Sequence, residues 1–194
     1  MSQPEDQHYI DAIINGDSKA FAVLVDRYKH MVFTLAMKIL KNKEESEEVS
    51  QDVFVKVYQA IRTFKGDSKF STWLYKIAYY RSLDYLKKQN RSLKTSSMDA
   101  EVEYHLPSIE NTLDALEASE RKKTIKRAID KLAEDDAVVI TLHYYEELSL
   151  KEIAKIMGIE ANTVKVRLFR SRKRLAELLN KRLEPEFFEN YGRK

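Results

Sequence analysis

Residues 148–181 constrain the fold of this chain more than any other segment. Ser149 lies three residues before Glu152 and just ahead of an apolar run, which is the capping-box pattern that begins a short helix. Gly158 follows the last apolar residue of that helix, where a left-handed backbone ends a helix at little cost. A second helix is predicted to begin near residues 160–161, with apolar residues at helical spacing on one face. A short capped helix, a glycine turn and a second helix form the helix-turn-helix pattern.

The cations of the second helix favour duplex DNA as a partner. The major groove accepts an α-helix, Arg and Lys can read guanine edges, and flanking cations neutralise phosphates. A solvated basic surface helix would have the same composition, but the capped partner helix and the glycine turn favour DNA binding. The cations are Lys165, Arg167, Arg170, Arg172, Lys173 and Arg174.

Composition favours an all-α fold. The chain has 194 residues, of which 43% are hydrophobic and 34% are charged, with only four Gly and three Pro, so helix formers dominate and turn formers are few. The chain contains no cysteine, which excludes a disulfide framework and a cysteine-based zinc site and fits a reducing cytoplasm, where we expect the protein to act. We see no signal peptide and no long apolar run, so we expect no membrane insertion.

The helical patterns predict two small domains joined by an acidic linker. Residues 6–94 form the first domain, 95–120 the linker, 121–182 a second domain with the helix-turn-helix, and 183–194 a short tail. No Lys or Arg falls between Lys94 and Arg121, whereas seven acids do. A stretch of one charge sign repels itself and stays extended, so a solvated spacer is the simplest interpretation.

The third predicted helix, at about residues 44–62, has an acidic start. The acids of its first turns are Glu44, Glu45, Glu47, Glu48 and Asp52. The helix dipole favours acids at this end by about 0.3–1 kcal/mol each, which explains some of them. A docking surface that these acids form with Phe54 and Tyr58 would explain the rest, and the residues leave both interpretations open.

Residues 63–71 combine a turn with aromatic side chains. Gly66, Asp67 and Ser68 mark the turn, and Phe64 and Phe70 flank it. A helix is predicted to start near residue 71. It carries the aromatic residues Trp73, Tyr75, Tyr79, Tyr80 and Tyr85, and near its end the cations Arg81, Lys87 and Lys88. Rings interleaved with cations suit single-stranded nucleic acid, because bases stack on rings for about 1–3 kcal/mol each. An ordinary amphipathic helix is the alternative, but its tyrosines are more than a core needs.

The order of these parts resembles that of bacterial RNA polymerase sigma factors of the extracytoplasmic-function (ECF) group of the sigma-70 family. The resemblance covers about residues 6–180. The motifs that carry it are Glu48-Val-Ser-Gln-Asp-Val-Phe54, Phe64-Lys-Gly-Asp-Ser-Lys-Phe-Ser-Thr-Trp-Leu-Tyr-Lys-Ile-Ala78 with Asp84-Tyr-Leu86, and Leu148-Ser-Leu-Lys-Glu-Ile-Ala154 with Thr163-Val-Lys165. It implies a protein that is not an enzyme, that directs core RNA polymerase to specific promoters and that assists promoter opening. Many members of the family are held inactive by an anti-sigma factor, which is therefore a further candidate partner.

The resemblance also implies three sets of site residues. The third helix would dock on the clamp helices of the polymerase's largest subunit through Glu48, Gln51, Asp52 and Phe54. The loop and the helix after it would open the minus-ten element and trap a flipped base through Phe64, Gly66, Asp67, Ser68, Phe70, Ser71, Trp73, Tyr80, Lys87 and Lys88. In the minus-thirty-five element, bases would be read by Lys165, Val166, Phe169 and Arg170, and phosphates would be contacted by Thr163, Arg167, Arg172 and Arg174.

Two positions depart from the family pattern in ways that affect base preference. The family often has Asn where this chain has Tyr80, and Tyr can stack on a base but cannot make the hydrogen bonds of Asn. Val166 is less polar than many residues at its position, which would allow contact with a thymine methyl group.

Three other functions compete with this interpretation. A stand-alone helix-turn-helix regulator would bind duplex DNA without polymerase, and a helical interaction module would lack DNA binding altogether. For an enzyme we find no support, since His8, His30, His105 and His143 are scattered and no glycine-rich phosphate loop is present. We therefore expect no metal and no cofactor.

Overall fold

The computed structural model describes residues 4–93 and 113–191, with side chains described for residues 6–90 and 121–180. Within these ranges the chain is helical and contains no strand, which confirms the predicted all-α class. The helices are α1 (Pro4–Ile14), α2 (Ser18–Leu40), α3 (Lys43–Ala60), a 3-10 turn (Ile61–Thr63), α4 (Phe70–Leu93), α5 (Leu113–Asp130), α6 (Glu134–Tyr144), α7 (Leu150–Met157) and α8 (Ala161–Tyr191).

Helices α1 to α4 form the first domain, and short polar side chains set their ends. Asp17 caps α2 by accepting a hydrogen bond of 2.9 Å from the backbone N–H of Lys19. Asn42 begins α3 by accepting from the backbone N–H of Glu45 at 3.1 Å. Lys41 ends α2 in the left-handed conformation, with φ of 55°. A single side chain can therefore separate two helices without a loop, which sets α2 and α3 at a tight corner.

Two helices extend beyond the bounds predicted for the second domain. Helix α5 starts at Leu113, so the last part of the predicted linker is helical, as its Leu, Ala and Glu residues favour. Helix α8 continues to Tyr191, so most of the predicted tail extends the recognition helix. Residues 94–112, which include most of the linker, lie outside the described residues.

The two domains pack on each other, and their buried side chains form one core. Helix α2 lies against α6, and α4 lies against α7. The Nζ atom of Lys38 forms an ion pair of 2.6 Å with Asp130, and the hydroxyl of Tyr79 donates to Asp135 at 2.8 Å. Helix α4, which carries predicted minus-ten residues, therefore lies against the first helix of the helix-turn-helix.

Candidate nucleic-acid interface

Helices α7 and α8 form the predicted helix-turn-helix. The hydroxyl of Ser149 accepts from the backbone N–H of Glu152 at 3.3 Å, and the Glu152 carboxylate accepts from the backbone N–H of Ser149 at 2.9 Å, which completes the capping box. Gly158 ends α7 with φ of +67°, and α8 begins at Ala161. The three features read from the sequence of this motif are confirmed.

One face of α8 is fully available to a groove. The side chains of Val164, Leu168 and Ser171 point into the protein, which leaves the opposite face to solvent. That face carries Thr163, Lys165, Val166, Phe169, Arg170 and Arg172, all exposed. Phe169 is 70% exposed, which is unusual for so large an apolar ring unless a partner covers it. The base-reading set predicted from the sequence thus lies together on one surface.

Two arginines of α8 are held by the first turn of α6. Arg167 pairs with Asp135, and Arg174 pairs with Asp136. Asp136 is only 6% exposed and also accepts a hydrogen bond of 2.9 Å from the hydroxyl of Ser171. A phosphate contact by either arginine requires its guanidinium to share or leave its carboxylate.

Sequence reasoning missed the role of these two aspartates. Adjacent acids at a helix start are expected from the helix dipole alone, so nothing local distinguished Asp135 and Asp136 from ordinary first-turn acids. Their positions fix the angle between α6 and the recognition helix, because each carboxylate joins the two elements.

Three aromatic rings close the loop before α4. The ring centroids of Phe64 and Phe70 lie 5.7 Å apart, those of Phe64 and Trp73 5.4 Å, and those of Phe70 and Trp73 5.8 Å. The first ring precedes the turn and the other two follow it, so the cluster holds both ends of residues 65–69. Gly66 lies at the turn with φ of +76°, a conformation that favours glycine. The loop is therefore anchored on a rigid base.

The members of the predicted minus-ten set differ in exposure. Phe70 is 1% exposed and also packs against Tyr28, with ring centroids 5.5 Å apart, so it supports the loop from below. The reason is its position at the first turn of α4, directly over the core of the first domain. Phe64 and Trp73 are half-buried. Exposed or half-buried as well are Gly66, Asp67, Ser68, Ser71, Tyr80, Lys87 and Lys88.

The tyrosines of α4 are divided between core and surface. Tyr75 and Tyr79 are buried, so our expectation that the tyrosines exceed the needs of a core was wrong for these two. Tyr80 is 40% exposed, and its hydroxyl donates to the backbone carbonyl of Met157 at 3.3 Å. Part of the predicted minus-ten face therefore contacts α7.

The outer face of α3 has an acidic edge and an aromatic edge. The acidic edge faces α4, where Asp52 pairs with Arg81 at 2.7 Å and Glu48 accepts from the hydroxyl of Tyr85 at 3.2 Å. The aromatic edge faces α2, where Phe54 and Tyr58 make edge contacts with Phe21. Glu48, Gln51 and Asp52 are exposed and Phe54 is half-buried. The residues predicted to dock on polymerase thus share one surface, although two of the acids also bind α4.

Comparison with known proteins identifies the family. Residues 24–92 match the family described as Sigma-70 region 2, and residues 122–175 match Sigma-70, region 4. The chain is 33% identical over 191 residues to the RNA polymerase sigma-H factor of Pseudomonas aeruginosa, covering 95% of this chain and 97% of that protein. It is 36% identical over 189 residues to the ECF RNA polymerase sigma-E factor of Escherichia coli strain K12, covering 94% and 96%. The chain belongs to the ECF group of the sigma-70 family.

Solved structures agree on the fold. The sigma factor RpoE of Bartonella quintana, in complex with the anti-sigma factor NepR, superposes with a TM-score of 0.70 at 24% identity, covering 84% of this chain and 98% of that one. CnrH, in complex with the cytosolic domain of CnrY, gives a TM-score of 0.61 at 23% identity, covering 91% and 97%.

Family membership defines the general activity. A sigma factor directs core RNA polymerase to promoters and acts in transcription initiation, so core polymerase and promoter DNA are its partners. Within residues 4–93 and 113–191, no helix has the length and apolar character needed to cross a membrane.

Proposed function

We propose that the two domains divide promoter recognition between them. The first domain binds core polymerase through α3 and opens the minus-ten element with the loop before α4. The second reads the minus-thirty-five element as duplex through α8. The protein acts in the cytoplasm without catalytic chemistry or a cofactor of its own. The observation that carries the proposal is the exposed face of α8, where Lys165, Val166, Phe169 and Arg170 lie together.

The loop supports a role in holding a displaced base. Extracting a base from a duplex costs a few kcal/mol, roughly what one or two stacking contacts return. Phe64 and Trp73 are half-buried aromatic side chains beside a turn whose two ends they help to hold, so the site is shaped before DNA arrives. Lys87 and Lys88, exposed further along α4, are suitably charged to follow the strand backbone.

The direct test is transcription by purified core polymerase and this protein on genomic DNA, followed by sequencing of RNA start sites. We expect defined start sites that share two upstream motifs. Phe64→Ala and Trp73→Ala should slow promoter opening, measured by permanganate reactivity of unpaired thymines, while Tyr145→Ala, an exposed aromatic on the second domain, should not. Absence of start sites above those of core polymerase alone would refute the proposal.

The polymerase contact has a sharper test because Asp52 also pairs with Arg81. Asp52→Arg alone breaks both the internal pair and any contact with the clamp helices. The double variant Asp52→Arg with Arg81→Asp restores the internal pair with reversed charges. If α3 docks through Asp52, polymerase binding stays weak in the double variant, and recovery would show that the acid serves only the fold.

A stand-alone regulator predicts the opposite behaviour toward duplex DNA. It would bind promoter duplex tightly without polymerase, whereas the proposed protein binds weakly until polymerase holds its domains apart. Measuring duplex binding with and without core polymerase separates the two.

A further inference from the structure

The three arginines of α8 that were predicted to contact phosphates have different surroundings. Arg172 is exposed and has no ion pair among the residues that the structure describes. Arg167 pairs with Asp135, and Arg174 pairs with Asp136. The same residue type on the same helix is therefore free to bind DNA at one position and already bound at two others.

Both carboxylates are fixed by a further hydrogen bond. Asp136 is 6% exposed and accepts from the hydroxyl of Ser171 at 2.9 Å. One oxygen of Asp135 pairs with Arg167, and the other accepts from the hydroxyl of Tyr79 at 2.8 Å. Bonds between a guanidinium and a carboxylate are stronger than neutral hydrogen bonds, so neither arginine is a mobile cation.

The two ion pairs border the surface that is proposed to read bases. A groove of about 550 Å³ lies between the first turn of α6 and the exposed face of α8. Its lining includes both aspartates and both arginines, together with Thr163, Val166 and Arg170. A duplex that is read by Val166 and Arg170 would therefore bring its sugar-phosphate backbone close to the two carboxylates.

The carboxylates reduce the attraction of α8 for phosphates in two ways. Each ion pair has no net charge, so two of the six cations of this helix release no counterion from DNA while they stay paired. A phosphate that takes an arginine from its carboxylate also leaves an anion beside an anion, which repels it. The number of cations in the sequence thus overstates the electrostatic attraction of the helix for DNA.

We propose that Asp135 and Asp136 limit the sequence-independent affinity of the recognition helix for DNA by withdrawing Arg167 and Arg174 from phosphates. The inference rests on the proposed function, in which α8 enters the groove of the minus-thirty-five element. The two arginines become positioning residues that fix α8 on α6, and Arg172 keeps the phosphate role. Contacts with bases then supply a larger share of the binding free energy, and the many competing sites of a genome retain less of the protein.

The test measures DNA binding by holoenzyme reconstituted from core polymerase and the full chain. The DNA is a duplex that carries the minus-thirty-five element, or a scrambled version of it, and ends before the minus-ten element. Fluorescence anisotropy at several salt concentrations gives the affinity and the salt slope. Asp135→Asn keeps the shape of a side chain that is 41% exposed. It should strengthen binding to both duplexes about fivefold and steepen the slope by about 0.9, which corresponds to one more phosphate contact.

A double variant shows whether the gain comes from the released arginine. Asp135→Asn with Arg167→Gln removes both charges of the pair and should return affinity and slope to the parent values. Glu147→Gln removes the same charge beyond the other end of α6 and should change affinity less than about twofold. Tyr79→Phe removes the other hydrogen bond of Asp135 but keeps its ion pair, so the slope should not change. Circular dichroism establishes that each variant is folded.

The sign of the Asp135→Asn effect decides between the inference and a purely structural role. A carboxylate that only holds α8 in place would give weaker binding when neutralised, and that result overturns the inference. A gain that persists in the double variant overturns it too, because the gain would not come from Arg167.

Arg172→Gln separates this inference from the proposed function. It should weaken binding to both duplexes and reduce the salt slope by about 0.9. If Arg172→Gln does so while Asp135→Asn leaves affinity unchanged, the inference fails and the proposed function stands. If neither variant changes the DNA affinity of a formed holoenzyme, α8 does not enter the groove, and the proposed function fails together with the inference.

Discussion

The two surfaces proposed to meet promoter DNA contain similar residue types but are built in opposite ways. At the loop before α4, the ring of Phe70 is 1% exposed and supports two half-buried rings above it. On α8, the ring of Phe169 is 70% exposed and lies beside the exposed cations Lys165, Arg170 and Arg172. A site that holds a displaced base needs side chains in fixed positions, so its aromatic rings pack on a ring that is buried in the core. A helix that enters a DNA groove must expose the side chains that contact DNA, so only the opposite face of the helix is buried against the protein.

The largest expected effect is a difference in the free energy of unfolding between variants of Phe70 and Phe169. Phe70→Ala should lower the free energy of unfolding by about 3–5 kcal/mol, because it removes a buried ring and leaves a cavity. Phe169→Ala should change it by less than about 0.5 kcal/mol, since the ring makes few contacts. Chemical denaturation monitored by circular dichroism measures both values. Similar values for the two variants would contradict the contrast.

The next effect is the stability that Asp136 contributes by bonding to side chains of α8. Asp136→Asn should cost roughly 1.5–3 kcal/mol of stability, because a nearly buried carboxylate loses its charge-assisted bonds to Arg174 and Ser171. Asp26→Asn, at the exposed pair on α2, should cost well under 1 kcal/mol. Equal losses in the same denaturation experiment would mean that Asp136 does not anchor the recognition helix.

Arginines on the same helix should differ in sequence dependence. Arg170→Ala should weaken use of the cognate minus-thirty-five sequence by about 1–3 kcal/mol if the contact is bidentate to a base. Arg172→Ala should weaken binding to all sequences alike and reduce the salt slope by about one phosphate. Holoenzyme binding to matched and scrambled upstream elements at several salt concentrations measures both. A sequence-independent loss for Arg170→Ala would instead assign it to a phosphate.

The smallest effect is a pH dependence at the capping box. Burial alone would raise the pKa of Glu152, but hydrogen bonds from Ser149 and the charge of Lys69 outweigh it and hold the pKa below its ordinary 4.5. A carboxylate with a lowered folded pKa stabilises the fold above pH 4.5 and loses that contribution as pH falls through the folded value. The contribution should be a few tenths of a kcal/mol, because solvent screens a partly exposed pair.

Glu152→Gln tests this dependence while keeping a residue that the capping box accepts. The stability difference between parent and variant should shrink as pH falls from 6 to 3, in thermal denaturation. Glu177→Gln, at an exposed position of α8, provides the control and should show a smaller pH-dependent difference. A difference that grows toward acid pH would contradict the sign.

Local features were predictable, and features that join distant segments were not. The capping box joins Ser149 to Glu152 and the glycine turn follows directly, so both could be read from a few adjacent residues. The pairing of Arg174 with Asp136 spans 38 positions, and the hydrogen bond of Tyr80 to Met157 spans 77. The sequence showed that Tyr80 departs from the family pattern but could not show where its hydroxyl binds.

Helix α5 extends into the predicted linker for a related reason. We expected an extended linker up to residue 120 because acids repel, yet α5 begins at Leu113. Acids close to a helix start are favoured by the dipole, so the same charges that argued for an extended chain also stabilise the first turns of the helix.

The amino-acid sequence alone determined the helical class, the helix-turn-helix and membership of the ECF sigma family, because helix periodicity, caps and motif spacing act over a few residues. Only the tertiary structure decided which rings of α4 are core, which arginines of α8 are bound to carboxylates and that α7 lies on α4. Burial and ion pairing depend on which distant residues meet, and residues of the same type have different roles once a second element covers them.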